Sequence, residues 1–345
     1  MNNLTIVAFF STILSFLLTP LIKKLAYKLE VIDIPKDKRR IHKKPIPLLG
    51  GLAIYLSFVI SIFLKIGPLT RTQKGIIIGA TIIVIGGFLD DKYEIRPLIK
   101  LLFQLSAAII LVLYGVRISL ITNPVPGFGE YIDLGFFFGV PLTILWVVGV
   151  TNSINLIDGL DGLAAGVAFI SCFTLFIITL FTIETRFETA YLTIALCGSI
   201  LGFLPYNFNP ASIFMGDTGA QLLGFLLAAI SIEGAIKSAA AFAISVPILA
   251  LGLPIYDTIF AMIRRKINGK PIMGADRGHL HHRLLDMGLT QRQAVIIMYL
   301  ISAILGSFAI LAMQVSSRSS YFLLAIVMLM LVIMAWKYGL FKHKE

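Results

Sequence analysis

Long apolar runs alternate with short polar connections along almost the whole chain of 345 residues. About 20 consecutive apolar residues suffice to cross the hydrocarbon core of a bilayer as a helix. On that scale about eleven spans are expected, over residues 4–27, 48–66, 75–89, 97–116, 134–150, 163–183, 189–204, 218–232, 235–263, 293–314 and 321–338. The predicted fold class is all-α, a polytopic integral membrane bundle of transmembrane helices forming one domain over 1–345. The first run starts Met1-Asn2-Asn3, without a positive leading segment, and no small-residue cleavage site follows. It is expected to be retained as a helix and not removed as a signal peptide.

Composition strengthens this picture. Hydrophobic residues make up 58% of the chain and charged residues 14%, with a mean hydropathy of +0.92. A soluble domain would carry about 25% charged residues. Charge also sets the expected orientation. With the N-terminus outside and the C-terminus cytoplasmic, only Lys65, Arg71, Lys74, Arg117, Arg186, Lys237 and Arg318 of the 29 Lys and Arg fall outside, as the positive-inside bias requires. The aspartates sort the same way, and only Asp133 falls outside. The inner connections 28–47, 90–97, 151–162, 205–217 and 264–292 are therefore the expected active face.

No P-loop or Rossmann glycine pattern is present. Cys172 and Cys197 lie inside apolar runs and read as small core residues, not as a disulfide or metal pair. The stretch 152–163 concentrates oxygen-bearing side chains, with Asn152, Asn155, Asp158 and Asp161 at three-residue intervals. That rhythm sets them along one side of a helical or turn-like segment. Such side chains at the mouth of a membrane helix are costly unless something polar uses them. A hard cation and a phosphate held by it are the obvious users.

The other inner connections each admit a plain reading and a functional one. Asp90-Asp91-Lys92 is a solvated turn, or a pair of repelling carboxylates that calls for a cation. Residues 205–220 contain no Lys or Arg, so anchoring does not explain them. Asp217 there reads as an N-cap, or, with Asn207 and the glycines around it, as a site residue. His42 and Lys43 belong to a basic loop that serves equally as a lipid anchor or as a phosphate cradle. Clustered His279, His281 and His282 suggest zinc. Cysteine partners are lacking, however, and Arg277 and Arg283 would oppose a bound cation, so an anion-binding arm fits better.

Four motifs occur in order: Asp90-Asp91, Asn152-x-x-Asn155-x-x-Asp158-Gly159-x-Asp161-Gly162, Phe214-Met215-Gly216-Asp217-Thr218-Gly219 and His279-Leu280-His281-His282-Arg283. Together they resemble the polyprenyl-phosphate N-acetylhexosamine-1-phosphate transferase superfamily, from His42 to Arg283. The His-Leu-His-His-Arg run and the number of spans are closer to the WecA/TagO branch than to the MraY branch, which has three adjacent His and ten spans.

The resemblance implies a Mg²⁺-dependent enzyme of the inner (plasma) membrane with its site facing the cytoplasm, Mn²⁺ being a possible substitute. It would transfer a sugar-1-phosphate, first of all from UDP-N-acetylglucosamine, to undecaprenyl phosphate and release UMP. The product would begin a cell-envelope polymer such as teichoic acid or lipopolysaccharide. Asp90, Asp91, Asp158 and Asp161 are then the expected catalytic residues, and Asp217 with Asn155 the expected metal ligands. His42, Lys43, Lys100, Asn152, Asn207, His279, His281, His282 and Arg283 are expected to bind substrate. Asp90 is expected to position or deprotonate the acceptor for direct attack. A covalent route through Asp158 or Asp217 is the rival. Expected partners are the UDP-sugar, undecaprenyl phosphate, the bilayer and a second copy of the chain as a homodimer, with no nucleic acid. UDP-N-acetylgalactosamine and UDP-N-acetylmuramoyl-pentapeptide stay open as donors. A polyprenyl-lipid transporter is the non-enzyme alternative, disfavoured because transport sites lie near the midplane.

Overall fold

The apolar runs fold as helices, and several of these helices meet backbone to backbone at the end of the bundle where the aspartates gather. The computed structural model describes residues 2–35, 44–64, 68–123, 131–181, 183–236, 245–271, 278–315 and 317–337. In chain order the elements are α1 (Asn2–Lys28), β1 (Ile32–Asp33), β2 (Ile46–Pro47), α2 (Gly50–Ile62), α3 (Arg71–Tyr93) and α4 (Pro97–Leu113). Then come β3 (Leu120–Thr122), β4 (Tyr131–Asp133), α5 (Gly135–Ile157), α6 (Leu163–Leu180), α7 (Ile183–Asn207) and α8 (Gly216–Ile236). The chain ends with α9 (Ser245–Ala250), α10 (Gly252–Ile267), α11 (Leu280–Asp286), α12 (Gln291–Gln314) and α13 (Ser317–Lys337).

The protein is mostly helical, at 79%. Among the described residues six helices (α1, α3, α5, α6, α7 and α12) are long and apolar enough to cross a membrane. Shorter apolar helices occur at Gly50–Ile62, Pro97–Leu113 and Ser319–Met334. Large apolar side chains such as Phe9, Phe137, Leu145 and Phe322 are exposed on the bundle surface. Such a surface suits lipid and not water.

The structure corrects several expected boundaries. The helix expected over 75–89 is α3, which runs from Arg71 through Asp90 and Asp91 to Tyr93. Its start is fixed by a capping box: Thr70 Oγ1 accepts the Gln73 N–H at 3.2 Å, and the Thr70 N–H donates to Gln73 Oε1 at 3.1 Å. Residues 235–263 do not form one span. Residues 237–244 lie outside the described residues, and the remainder is broken at Leu251 into α9 and α10. Pro254 lacks the N–H that would continue the helix through residue 250, and its ring crowds that carbonyl. Two small hairpins, β1 with β2 and β3 with β4, and the short α11 were not expected from hydropathy.

α8 is the buried centre, packed against α3 and α5. Its first turn allows no spacing side chains. A Cβ on Gly51 of α2 would fall on the Gly219 backbone, and one on Gly87 of α3 would fall on the Cα of Thr218. The start of α2 also donates to the strand of chain before α8, Gly50 N–H to Phe214 O at 2.9 Å and Gly51 N–H to Met215 O at 3.0 Å. These contacts fix the ends of α2, α3 and α8 in one rigid corner.

Candidate active site

The expected site residues lie mostly on helix ends, not in the loops between helices. Asp90 and Asp91 occupy the last turn of α3, Asn152 and Asn155 the last turns of α5, and Asp217 the first turn of α8. Asp158 stands at the C-cap of α5. All the helix ends that carry these residues open on a cavity of about 540 Å³. Asp90, Asp91, Lys100, Asp158, Asp161, Asn207, Asp217 and His282 all line it. That volume suits a substrate site.

The carboxylates differ in what they hold. Asp90 is buried and pairs with Lys100 of α4. The same ammonium lies 2.8 Å from Asp217 Oδ2. Asn155 also hydrogen-bonds the Asp217 carboxylate. Asp91 faces the other way: Oδ1 accepts the Asp217 N–H at 2.7 Å, and Oδ2 accepts the Thr218 N–H at 3.0 Å and its hydroxyl at 2.5 Å. The N-terminus of α8 is thus capped by a residue of α3, which leaves the Asp217 side chain facing the cavity. The capping reading of Asp217 is replaced by this arrangement.

Asp158 is pushed up to about 8, first by burial and then by the charges of Asp217, Asp91 and Asp161. Four carboxylates that repel one another in one cavity make a strong attraction for a cation. Asp161 is spent on structure, accepting Asn209 Nδ2 at 2.9 Å and the Ala211 N–H at 3.0 Å. Asn207 donates to Ile213 O at 3.1 Å and so shapes the loop before α8.

Asn152 does not line the cavity. Its amide donates to Gln104 Oε1 at 2.8 Å, and Gln104 Nε2 donates to Gln221 Oε1 at 3.1 Å. Gln221 Nε2 reaches Asp217 Oδ2 at 3.5 Å. This amide file crosses α5, α4 and α8 and ends on Asp217. Sequence reasoning missed Gln104 and Gln221. The signal was present, since each is a polar residue four positions after a site residue, Lys100 or Asp217, within an apolar run.

The histidine motif divides. His282 lines the cavity. His279, His281 and Arg283 are buried and stand outside its lining. His279 Nδ1 lies 2.7 Å from Asp257 Oδ2, and Arg283 Nε donates to Gly278 O at 3.0 Å. The His281 ring packs over Gly159, and burial together with His282 lowers its pKa to about 3, so it is neutral at pH 7. Of the four residues expected to bind substrate, the structure therefore brings only His282 to the cavity wall; His279, His281 and Arg283 stand behind it. His42 and Lys43 lie outside the described residues.

Among the described residues no three His, Cys, Asp or Glu side chains form a metal cage. Mg²⁺ does not ask for one, since it commonly takes one or two carboxylates, waters and substrate phosphates. Asp217 supplies hard oxygens at the cavity wall, beside Asp90, and Asn155 stands within hydrogen-bonding reach of it, which fits that demand. A zinc site on the histidines does not fit, with His279 held by Asp257 and His281 stacked between its neighbours.

The apolar helices and the carboxylate-lined cavity suit a membrane enzyme that acts on charged substrates. Comparison with known proteins agrees. Residues 74–235 match the description "Glycosyl transferase family 4". The chain is 41% identical to a Bacillus subtilis protein described as a "Probable undecaprenyl-phosphate N-acetylglucosaminyl 1-phosphate transferase", over 98% of this chain and 93% of the relative. It is 31% identical to a decaprenyl-phosphate N-acetylglucosaminephosphotransferase of Mycobacterium tuberculosis, over 87% and 80%. It is 28% identical to an Escherichia coli undecaprenyl-phosphate alpha-N-acetylglucosaminyl 1-phosphate transferase, over 91% and 84%. The chain belongs to glycosyl transferase family 4, the superfamily of polyprenyl-phosphate N-acetylhexosamine-1-phosphate transferases.

Proposed function

We propose that this protein transfers N-acetylglucosamine-1-phosphate from UDP-N-acetylglucosamine to undecaprenyl phosphate. The products are UMP and undecaprenyl-pyrophosphoryl-N-acetylglucosamine. The observation that carries this reading is the cavity in which Asp90 and Asp217 share Lys100. The relatives' names support the donor and the acceptor. In this reading the cavity faces the cytoplasm, the N-terminus is outside, and the product starts a cell-envelope polymer.

Asp217, with Asn155 beside it, would hold Mg²⁺, which when bound would supply charge neutralisation and Lewis acidity for phosphoryl transfer. The remaining chemistry belongs to the chain. Lys100 offsets the repulsion between two anionic substrates. Asp90, at the inner end of α3, positions the acceptor phosphate through the Lys100 ammonium with which it pairs, for in-line attack on the donor β-phosphorus. A phosphate monoester loses its second proton near pH 6, so a base contributes little and position contributes most. Asp91 holds the helix that carries Asp217, and His282, which lines the same cavity, meets the donor.

Purified protein supplied with undecaprenyl phosphate, Mg²⁺ and a panel of radiolabelled UDP-sugars tests the proposal. Label from UDP-N-acetylglucosamine should enter the lipid with stoichiometric UMP. Preference for UDP-N-acetylgalactosamine or for the muramoyl-pentapeptide donor would replace the sugar and keep the chemistry. Absence of UMP release with every donor would remove the reading.

A further inference from the structure

α10 buries two charged residues, Asp257 at 8% exposure and Arg264 at 2%. They stand about two helical turns apart and so share one face. Both grip the same stretch, the entry to α11. Asp257 Oδ1 accepts the Leu280 N–H at 2.9 Å, and Oδ2 meets His279 Nδ1 at 2.7 Å. The Arg264 guanidinium packs where a Cβ on Gly278 would stand. A buried carboxylate is tolerated only when its oxygens are satisfied, and Asp257 meets that condition through residues 279 and 280.

α11 has seven residues, from Leu280 to Asp286, too few to be stable alone. Its N-cap residue, His279, makes no side-chain cap bond. Asp257 supplies the missing acceptor from a neighbouring helix. The turn after α5 also approaches so closely that a Cβ on Gly159 would lie 2.5 Å from His281 Nε2. α11 is thus clamped between the Asp257 carboxylate and a turn without side-chain bulk. Its rings run in file. His279 and His281 stack at 8° with centroids 5.8 Å apart, and His281 and His282 lie 4.2 Å apart. The first ring is fixed by Asp257, and the last lines the cavity beside Asp158 and Asp217.

We propose that Asp257 is a positioning residue: acting through His279 and the first turn of α11, it sets where His282 stands and so how the UDP-sugar is held. The inference rests on the assignment of His282 to the donor in the proposed function. Asp257 itself does not line the cavity. His279 becomes the link between the carboxylate and the cavity, not a ligand of the donor.

The test uses the full chain with Asp257→Ala, which removes both acceptors, and Asp257→Asn, which keeps an oxygen for the Leu280 N–H. The KM for UDP-N-acetylglucosamine should rise about tenfold or more in the alanine variant, in keeping with the sensitivity of reactive geometry to small displacements. The KM for undecaprenyl phosphate should stay near its starting value, and asparagine should recover part of the loss. A second readout needs no activity. With Cys172 and Cys197 replaced, His282→Cys is labelled by a soluble thiol reagent, with exposed Lys266→Cys as control. Adding Asp257→Ala should change the rate at position 282 and not at 266. If Asp257→Ala does not accumulate, Asp257→Asn carries both comparisons with smaller shifts. An unchanged labelling rate at 282 overturns the positioning role, and an unchanged ratio of the two KM values overturns its bearing on the donor. Failure of every UDP-sugar in the wild-type assay would instead remove the proposed function, while the labelling comparison would still decide on Asp257.

Discussion

Asp91 on α3 accepts the Thr218 hydroxyl at 2.5 Å, and with its other oxygen the Asp217 N–H at 2.7 Å. One of two adjacent aspartates therefore holds a helix, while its neighbour Asp90 faces Lys100. Asp91→Ala should leave the first N–H groups of α8 unsatisfied and destabilise the protein by about 1–3 kcal/mol. Asp90→Ala should lower turnover with a smaller loss of stability, because Lys100 keeps Asp217. Thermal unfolding of the two purified variants, beside their activities, checks the division. Equal stability losses would count against it.

Asp217→Asn should reduce turnover by about 100-fold or more, the scale seen when one charge-stabilising group is removed from a reacting centre. Chelation of divalent cations should stop the wild-type reaction, with Mg²⁺ and then Mn²⁺ restoring it. A variant with near-wild-type turnover at limiting Mg²⁺ would remove Asp217 from the metal.

The expected orientation places Lys266, exposed near the end of α10, in the cytoplasm, and Arg71, exposed at the start of α3, outside. In a background lacking Cys172 and Cys197, Arg71→Cys should be labelled by an impermeant reagent in intact cells, and Lys266→Cys only after lysis. The reverse pattern would invert the topology. Position 281 is unsuitable for such labelling because its side chain is buried.

His281 has its pKa lowered from 6.5 to about 3, chiefly by burial. The unfolded chain therefore binds a proton at this residue that the folded one refuses. Its contribution to stability is present above about pH 6.5 and is lost as pH falls toward 3. His281→Gln should flatten the decline in thermal stability between those limits. An unaltered pH slope would mean that another group dominates acid unfolding.

Direct attack by the acceptor predicts that donor alone does nothing. Delipidated protein with Mg²⁺, UDP-N-acetylglucosamine and labelled UMP should show no exchange of label into the UDP-sugar. Robust exchange, with sugar phosphate trapped on Asp158 or Asp217, would establish the covalent route.

Much of this arrangement was legible in the chain because lipid leaves polar residues few reasons to exist. Asp90, Asp91, Asp158, Asp161, Asn207 and Asp217 were singled out that way, Lys100 through the family resemblance, and all line one cavity. What the sequence hid was division of labour. Adjacent Asp90 and Asp91 look alike on paper, and only the approach of α8 shows that Asp91 is a cap. His279, His281 and His282 form one run, yet α11 turns successive rings toward Asp257, Gly159 and the cavity. The break at Leu251 was missed because hydropathy averages over a proline that a helix cannot ignore.

In the corner where Gly51 and Gly87 meet Thr218 and Gly219, the helices touch through backbone. Its shape is written in backbone, so substitution there breaks the protein and does not retune it. Under the proposed function, a change of donor would act instead on cavity-lining side chains away from this corner, such as Ile32, Asp33, Gln291 and His282. Engineering for altered donors has a defined territory, and α2, α3 and the start of α8 lie outside it.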